Sequence, residues 1–185
     1  NFVGILLWLR VFGKRLKFSF YFDFTILKPN DNFLMEADRK DNVQDVFQRI
    51  YTHLGAELYR KLFPVILTDN GASFKDPAIF ERPEGELLSR VFYCDPMASW
   101  QKGRLEKNHE FIRYIIPKGT TFAGLDQEQV TLITNHINSV ARASLNGCTP
   151  FELALLLIDR KLLDLCQLER IPANQVILKP SLLKK

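Results

Sequence analysis

Alternation sets the first element. From Lys17 to Thr25, Phe18, Phe20, Phe22 and Phe24 fall on one parity and Lys17, Ser19, Tyr21, Asp23 and Thr25 on the other. That is the period of a half-buried strand. Pro29-Asn30-Asp31-Asn32 breaks it, and Phe33-Leu34-Met35 reads as a short strand before the charged turn Asp38-Arg39-Lys40-Asp41. The period then changes. Val43, Val46, Phe47, Ile50 and Leu54 are spaced as one apolar face of a helix.

Two short apolar runs come next. Phe63-Pro64-Val65-Ile66-Leu67-Thr68 closes on Asp69-Asn70-Gly71, and Val91-Phe92-Tyr93-Cys94 closes on Asp95-Pro96. Both are expected as strands, the first buried and ending in a tight turn. Strands separated by helical or irregular stretches point to an α/β sheet. In such sheets chemistry gathers beyond the carboxyl ends of the strands. A helix is expected from Ser99 or Lys102 to Ile116, stopped by Pro117 and Gly119. Asp126 with Gln129, and Thr149-Pro150-Phe151-Glu152, have the form of capping boxes. The first opens a helix bearing Val130, Ile133, Ile137 and Val140; the second opens the leucine-rich stretch 153–168. Residues 171–185, with Pro172 and Pro180, read as an extended tail. There is no internal repeat.

Composition narrows the class. The 185 residues are 46% hydrophobic and 25% charged, which excludes a disordered or collagen-like chain. The net charge of +4 permits an anionic partner without demanding one. Its distribution says more: residues 160–185 hold six basic side chains against Asp164 and Glu169, and the rest of the chain balances. Cys94, Cys148 and Cys166 form no C-x-x-C pair and no zinc set with the three histidines, which suits a reducing, cytoplasmic setting. The opening run Phe2–Leu9 is too short to span a bilayer, which needs about 20 residues, and is no signal peptide. No membrane role is expected. A chain beginning with Asn reads as a fragment of something longer.

Two acids stand out by position. Asp69 ends an apolar strand, and Glu106 lies on the flank of the helix ending at Ile116, beside Glu110 and Arg113. Two carboxylates held close raise one another's pKa unless a divalent cation sits between them. Mg²⁺ takes oxygen ligands and suits phosphate-ester chemistry. The plainer readings stand beside this one: Asp69-Asn70-Gly71 is a good turn sequence, Asp95-Pro96 is another, and a helix-flank Glu is ordinarily solvated. Lys102, Arg104, Lys107, Arg113 and Lys118 give 97–120 a net +3, fit for phosphates or for a solvated face. Arg10, Lys14, Arg15 and Lys17 make a second basic cluster. Packing or capping is the expectation for His109, His136 and Trp100, and core or a dimer surface for the leucines of 153–168.

At these residues the chain resembles a family. Val65-Ile66-Leu67-Thr68-Asp69-Asn70-Gly71-Ala72-Ser73-Phe74 is similar to the "TDNG-x-x-F" segment of insertion-sequence transposases related to retroviral integrases, the Asp-Asp-Glu type. Residues 92–108, around Glu106, resemble the segment with their final acid, and Pro117-Lys118-Gly119-Thr120 and Thr149-Pro150-Phe151 match the bacterial branch. The resemblance covers about residues 33–185 and is most specific in 63–120. It implies a ribonuclease-H-like mixed sheet flanked by helices with a helical C-terminal extension. It places the catalytic core at 1–153, divergent or truncated over 1–32, and the extension with its basic tail at 154–185. It also implies Mg²⁺ (or Mn²⁺)-dependent nicking and strand transfer, with Asp69 and Glu106 as metal-binding catalytic acids. Lys102, Arg104, Lys107 and Arg113 would meet DNA, both transposon ends and target, in a nucleoid-associated homo-oligomer. The family's first acid belongs in the opening strand, where this chain has none; Asp23 is the stand-in ligand. This departure leaves two readings, an impaired enzyme or a non-catalytic DNA-binding or oligomerising remnant. Ribonuclease H activity fits less well, because the similarity is to transposases throughout.

Overall fold

The computed structural model describes residues 2–12, 17–27, 40–68, 74–95, 105–120 and 125–183, with side chains described in 43–68, 74–95, 110–120 and 125–183. The chain forms two compact units, one of residues 34–104 and one of 1–33 with 105–185. Both mix helices with strands.

In the 34–104 unit, α1 spans Lys40–Leu62. Val43, Phe47, Ile50 and Leu54 are buried as their spacing predicts, and Val46 is half-buried. The sequence did not reveal that the helix continues past Gly55. Gly55 takes φ 74° and ψ 169°, left-handed space that a side chain tolerates poorly, so two helical stretches meet there at a kink. The second stretch places Tyr59, which is buried and donates to the Phe80 carbonyl at 2.9 Å. Phe47 meets Phe63 and Phe80 edge-on at 5.9 and 5.1 Å, a favoured ring geometry.

Strands β3 (Ile66–Thr68) and β4 (Val91–Tyr93) pair in parallel, with Ile66 opposite Val91 and Thr68 opposite Tyr93. Parallel strands need a crossover, and here it carries the short helix α2 (Ala78–Glu81). Glu81 fixes the entry to β4: its carbonyl accepts from Leu88 N–H at 2.8 Å and its carboxylate from Val91 N–H at 2.9 Å. The run expected as fully buried is only half so. Ile66 and Thr68 are buried, while Val65, Leu67 and Phe92 are exposed. Strand side chains alternate, and in β3 one parity is exposed; in β4 both Phe92 and Tyr93 are exposed.

In the other unit, β1 (Phe2–Phe12) and β2 (Lys17–Leu27) form an antiparallel hairpin. The alternating phenylalanines register against an equally apolar row: Phe18 opposite Val11, Phe20 opposite Leu9, Phe22 opposite Leu7 and Phe24 opposite Ile5. Helix α3 (Leu105–Ile115) comes after it. Helix α4 (Gln127–Asn138) lies against α3 and β1, and α5 (Pro150–Leu157) also meets β1. The short strand expected at 33–35 and the helix start at 99–104 lie outside the described residues.

Both capping boxes form. Asp126 accepts from Gln129 N–H at 2.8 Å while Gln129 accepts from Asp126 N–H at 3.0 Å. Thr149 and Glu152 do the same, with Pro150 in the first turn. The leucine-rich stretch is two helices. Ile158 is extended, and Asp159 caps α6 (Arg160–Leu165) by accepting from Lys161 N–H at 2.9 Å. The break divides the leucines: Leu162, Leu163 and Leu168 are core, while Leu155, Leu156 and Leu157 are exposed. The tail departs from the extended expectation in one respect. It coils into 3-10 turns at Ala173–Gln175 and Pro180–Leu183. Its Leu178, Leu182 and Leu183 pack on a cluster of Ile115, Ile116, Ile133 and Ile137.

Removing a cap and opening this cluster should differ in scale. Asp126→Ala is expected to cost about 1 kcal/mol. Ile137→Ala, at a fully buried position, is expected to cost about 2–5 kcal/mol. Urea midpoints at unchanged slope measure both, and a cap loss equal to the cavity loss would contradict this account.

Candidate functional site

The carboxyl ends of β3 and β4 lie side by side, joined by Cys94 N–H to the Thr68 carbonyl at 2.7 Å. Asp69 comes directly after Thr68 but, with 70–73, lies outside the described residues. The two ends of its segment are described. Thr68 is buried at the tip of β3. Phe74 is tied back to the neighbouring tip by the Tyr93 hydroxyl, which donates to its carbonyl, and its ring packs 5.1 Å from that of Phe80. Both ends are thus anchored to the β3–β4 pair and its core. Asp95, which ends β4 as Asp69 ends β3, is exposed.

Glu106 and Lys107 lie in the first turn of α3, and His109 near its middle, by backbone; their side chains are not described. Lys102 and Arg104, like Trp100, lie outside the described residues altogether. Arg113 is exposed in the last turn. The helix is fixed through its other end. Ile115 and Ile116 are buried in the cluster with α4, and Phe111 and Ile112 pack against it. The Arg142 guanidinium sits 5.0 Å from the centre of the Phe111 ring, a cation–π contact. Burial holds the Arg142 pKa down to about 10. Asp23 lies mid-strand in β2, its backbone opposite Leu6. The hairpin and α3 belong to one unit and the Asp69 segment to the other.

A second polar constellation went unread. The last turns of α4 bury Asn135, His136, Asn138 and Ser139, and three of these side chains serve the backbone of residues 167–177. Asn135 accepts from Glu169 N–H and donates to the Gln167 carbonyl, both at 3.1 Å. Ser139 accepts from Ile171 N–H at 2.9 Å. His136 Nδ1 accepts from Ile177 N–H at 3.0 Å, so its proton resides on Nε2. Glu152 adds a fourth tie, since the carboxylate that completes the α5 cap also meets Arg170 at 2.7 Å. The Thr149 backbone N–H holds this carboxyl below its usual range against the opposing effect of burial, with lesser help from the Thr149 hydroxyl and from Arg170. His136 is therefore a core residue, as expected. The available signal was the polar run Asn135-His136 and Asn138-Ser139 on a helix otherwise apolar in period.

Among the described residues no group of three or more His, Cys, Asp and Glu side chains is arranged to hold a metal ion. Asp69, and the side chains of Glu106 and Asp23, stand outside that statement. No helix among the described residues is long and apolar enough to cross a membrane, and Cys94, Cys148 and Cys166 are free thiols.

With the strand ends and α3 in view, comparison with known proteins points one way. The chain is 33% identical over 93 residues to the transposase for insertion sequence element IS4351 of Bacteroides fragilis, covering 50% of this chain and 28% of that protein. It is 35% identical over 63 residues to the transposase for IS1086 of Cupriavidus metallidurans, covering 34% and 19%. To the transposase InsI for IS30A of Escherichia coli it is 34% identical over 64 residues, covering 35% and 17%. The chain thus spans less than a third of the length of each of these relatives. No family model matches, and no solved structure matches.

His136 makes this part of the fold sensitive to acid. Burial lowers its pKa, so the unfolded chain takes up a proton that the native state refuses. The stabilisation is complete above the unfolded value of about 6.5 and is lost as pH falls through the lowered native value. Thermal midpoints from pH 8 to 5 should therefore fall more steeply for the native sequence than for His136→Gln, which does not titrate. Parallel curves would show that His136 does not contribute.

Proposed function

We propose that the chain is part of a DNA transposase whose catalytic core cuts and joins DNA strands with Mg²⁺ or Mn²⁺. The observation that carries the reading is the similarity to three insertion-sequence transposases. The structure supports it with two parallel strands whose carboxyl ends adjoin, the first leading straight into Asp69. The proposed architecture is a ribonuclease-H-like core over 1–153 with a helical extension over 154–185. It is compatible with the hairpin, the parallel pair and the flanking helices.

In this reading Asp69 and Glu106 hold the metal, and Asp23 supplies the third carboxylate. Hard oxygen donors of this kind suit Mg²⁺ and Mn²⁺. When bound, the metal supplies activation of the attacking oxygen and neutralisation of the leaving one. The residues of the chain do the rest. Thr68 and Phe74 anchor the two ends of the segment that carries Asp69, and the isoleucines at the end of α3 fix the helix bearing Glu106. Lys102, Arg104, Lys107 and Arg113 take phosphates and orient the strand. Water or a freed 3′-hydroxyl would attack phosphorus, giving up its proton, as the P–O bond to the departing 3′-oxygen breaks and that oxygen takes up a proton. The proposed setting is the bacterial cytoplasm, at the nucleoid, as a homo-oligomer on transposon ends and target DNA.

The test is cleavage of duplexes carrying an element's terminal repeats, with and without Mg²⁺ or Mn²⁺. Nicking is expected only with metal. Asp69→Asn or Glu106→Gln should each reduce it by at least about 100-fold, the upper scale on which losing even outer support of a metal ligand acts. Retarded migration of the DNA without any nicking would instead favour the non-catalytic remnant.

A further inference from the structure

In the sequence, Arg113 and Lys118 at the end of α3 lie about sixty residues from Lys179 in the tail. The fold joins the two. Leu178, Leu182 and Leu183 of the tail pack on the cluster containing Ile115 and Ile116 at the end of α3, and the turn Pro180–Leu183 lies against that helix. Each nearby cation is anchored by a neighbour in this packing. Arg113 lies between Ile112 and Ile115, Lys118 is two residues past Ile116, and Lys179 comes directly after Leu178.

All three cations are exposed. Lys179 is also fixed by backbone, since its carbonyl accepts from Leu182 N–H at 3.0 Å. Tyr114, beside Arg113, is 55% exposed. Along the two segments opposing charge is limited: residues 171–185 contain no acid and 110–120 only Glu110, while exposed Asp126 follows Leu125, which packs on the same cluster.

We propose that the end of α3 and the tail packed on it form one phosphate-binding surface for duplex DNA, with Arg113, Lys118 and Lys179 as its cations and Tyr114 as an exposed hydroxyl and ring. The proposal rests on the nucleic-acid reading above and adds to it a partner surface built by the tail. A duplex is favoured over an acidic protein because the cations are spread over two elements, with only Tyr114 and Ile177 as exposed apolar side chains beside them among the described residues. Backbone neutralisation of DNA needs only such spread charge.

The experiment is fluorescence anisotropy of a labelled 30-base-pair duplex of arbitrary sequence, in EDTA so that no cleavage occurs, over a NaCl series. Each of Arg113→Ala, Lys118→Ala and Lys179→Ala should lower the slope of log K against log salt by about 0.9, and the triple variant by about three times that. Lys179→Arg should keep the native slope. Lys161→Ala, exposed on α6, should not change it. All these positions are exposed, and unchanged thermal midpoints will confirm that the variants fold. A triple variant with the native slope overturns the surface while leaving the transposase reading intact. A native protein that does not bind the duplex at 50 mM NaCl overturns both. Binding to anionic phospholipid vesicles that depends on the same lysines, without duplex binding, reassigns the surface to a lipid and overturns the proposal.

Discussion

A helix end buried on several sides imposes a requirement on whatever covers it, and the last turns of α4 impose it here. The segment that crosses them brings its own backbone amides into a site with little water, and an unpartnered buried amide costs about 1–3 kcal/mol. Asn135, His136 and Ser139 meet that requirement by accepting from Glu169, Ile177 and Ile171. Asn135 also donates to Gln167, which is held at φ 53°, a conformation that L-residues adopt only when the surroundings compensate. The path of the tail is therefore dictated by side chains of α4, and the leucines it carries complete the cluster that fixes α3. The packing of α3, α4 and the tail thus depends on a polar stitch of a few side chains.

The 34–104 unit solves a different problem. A parallel strand pair as short as β3–β4 has little stability of its own. Its order comes from neighbours. Tyr59 reaches the Phe80 carbonyl, Phe80 sits fully buried among Phe47 and Phe74, and Glu81 clasps the start of β4 by backbone and side chain. The kink at Gly55 is what turns the second stretch of α1 so that Tyr59 lies in this core. Burial raises the Tyr59 phenol pKa well above its usual value, so it acts as a neutral donor.

Local chemistry was legible in the residues, and relations between distant segments were not. The capping boxes at Asp126 and Thr149 and the apolar face from Val43 to Leu54 rest on fixed spacings and appear as read, and the alternating stretch of β2 forms a strand by backbone. The kink at Gly55 escaped because the apolar period up to Leu54 does not say whether a helix stops at a glycine or bends and continues. The break at Ile158-Asp159 escaped because leucine-rich composition suits either one helix or two; an Asp inside such a run is also an N-cap, and that is its role. The burial of only one parity of β3 could not be foreseen, since a run of apolar residues states no preference between faces. Of the candidate acids, Glu106 lies on helix α3 by backbone, and β3 ends at Thr68, directly before Asp69, which lies outside the described residues.

Charge illustrates the same division. The +4 of the whole chain says little, because at ordinary ionic strength charges more than about 10 Å apart are largely screened from one another. What counts for an anionic polymer is how many cations lie within reach of one stretch of it. The sequence separates Lys118 from Lys179 by the whole of α4, α5 and α6, yet the leucines near Lys179 settle beside the isoleucines preceding Lys118. Apolar burial thereby gathers charge. The contacts that exclude water from Ile115 and Ile116 also decide where Lys179 faces solvent. Altering the apolar side chains under this surface would change its electrostatics without touching a single charged residue.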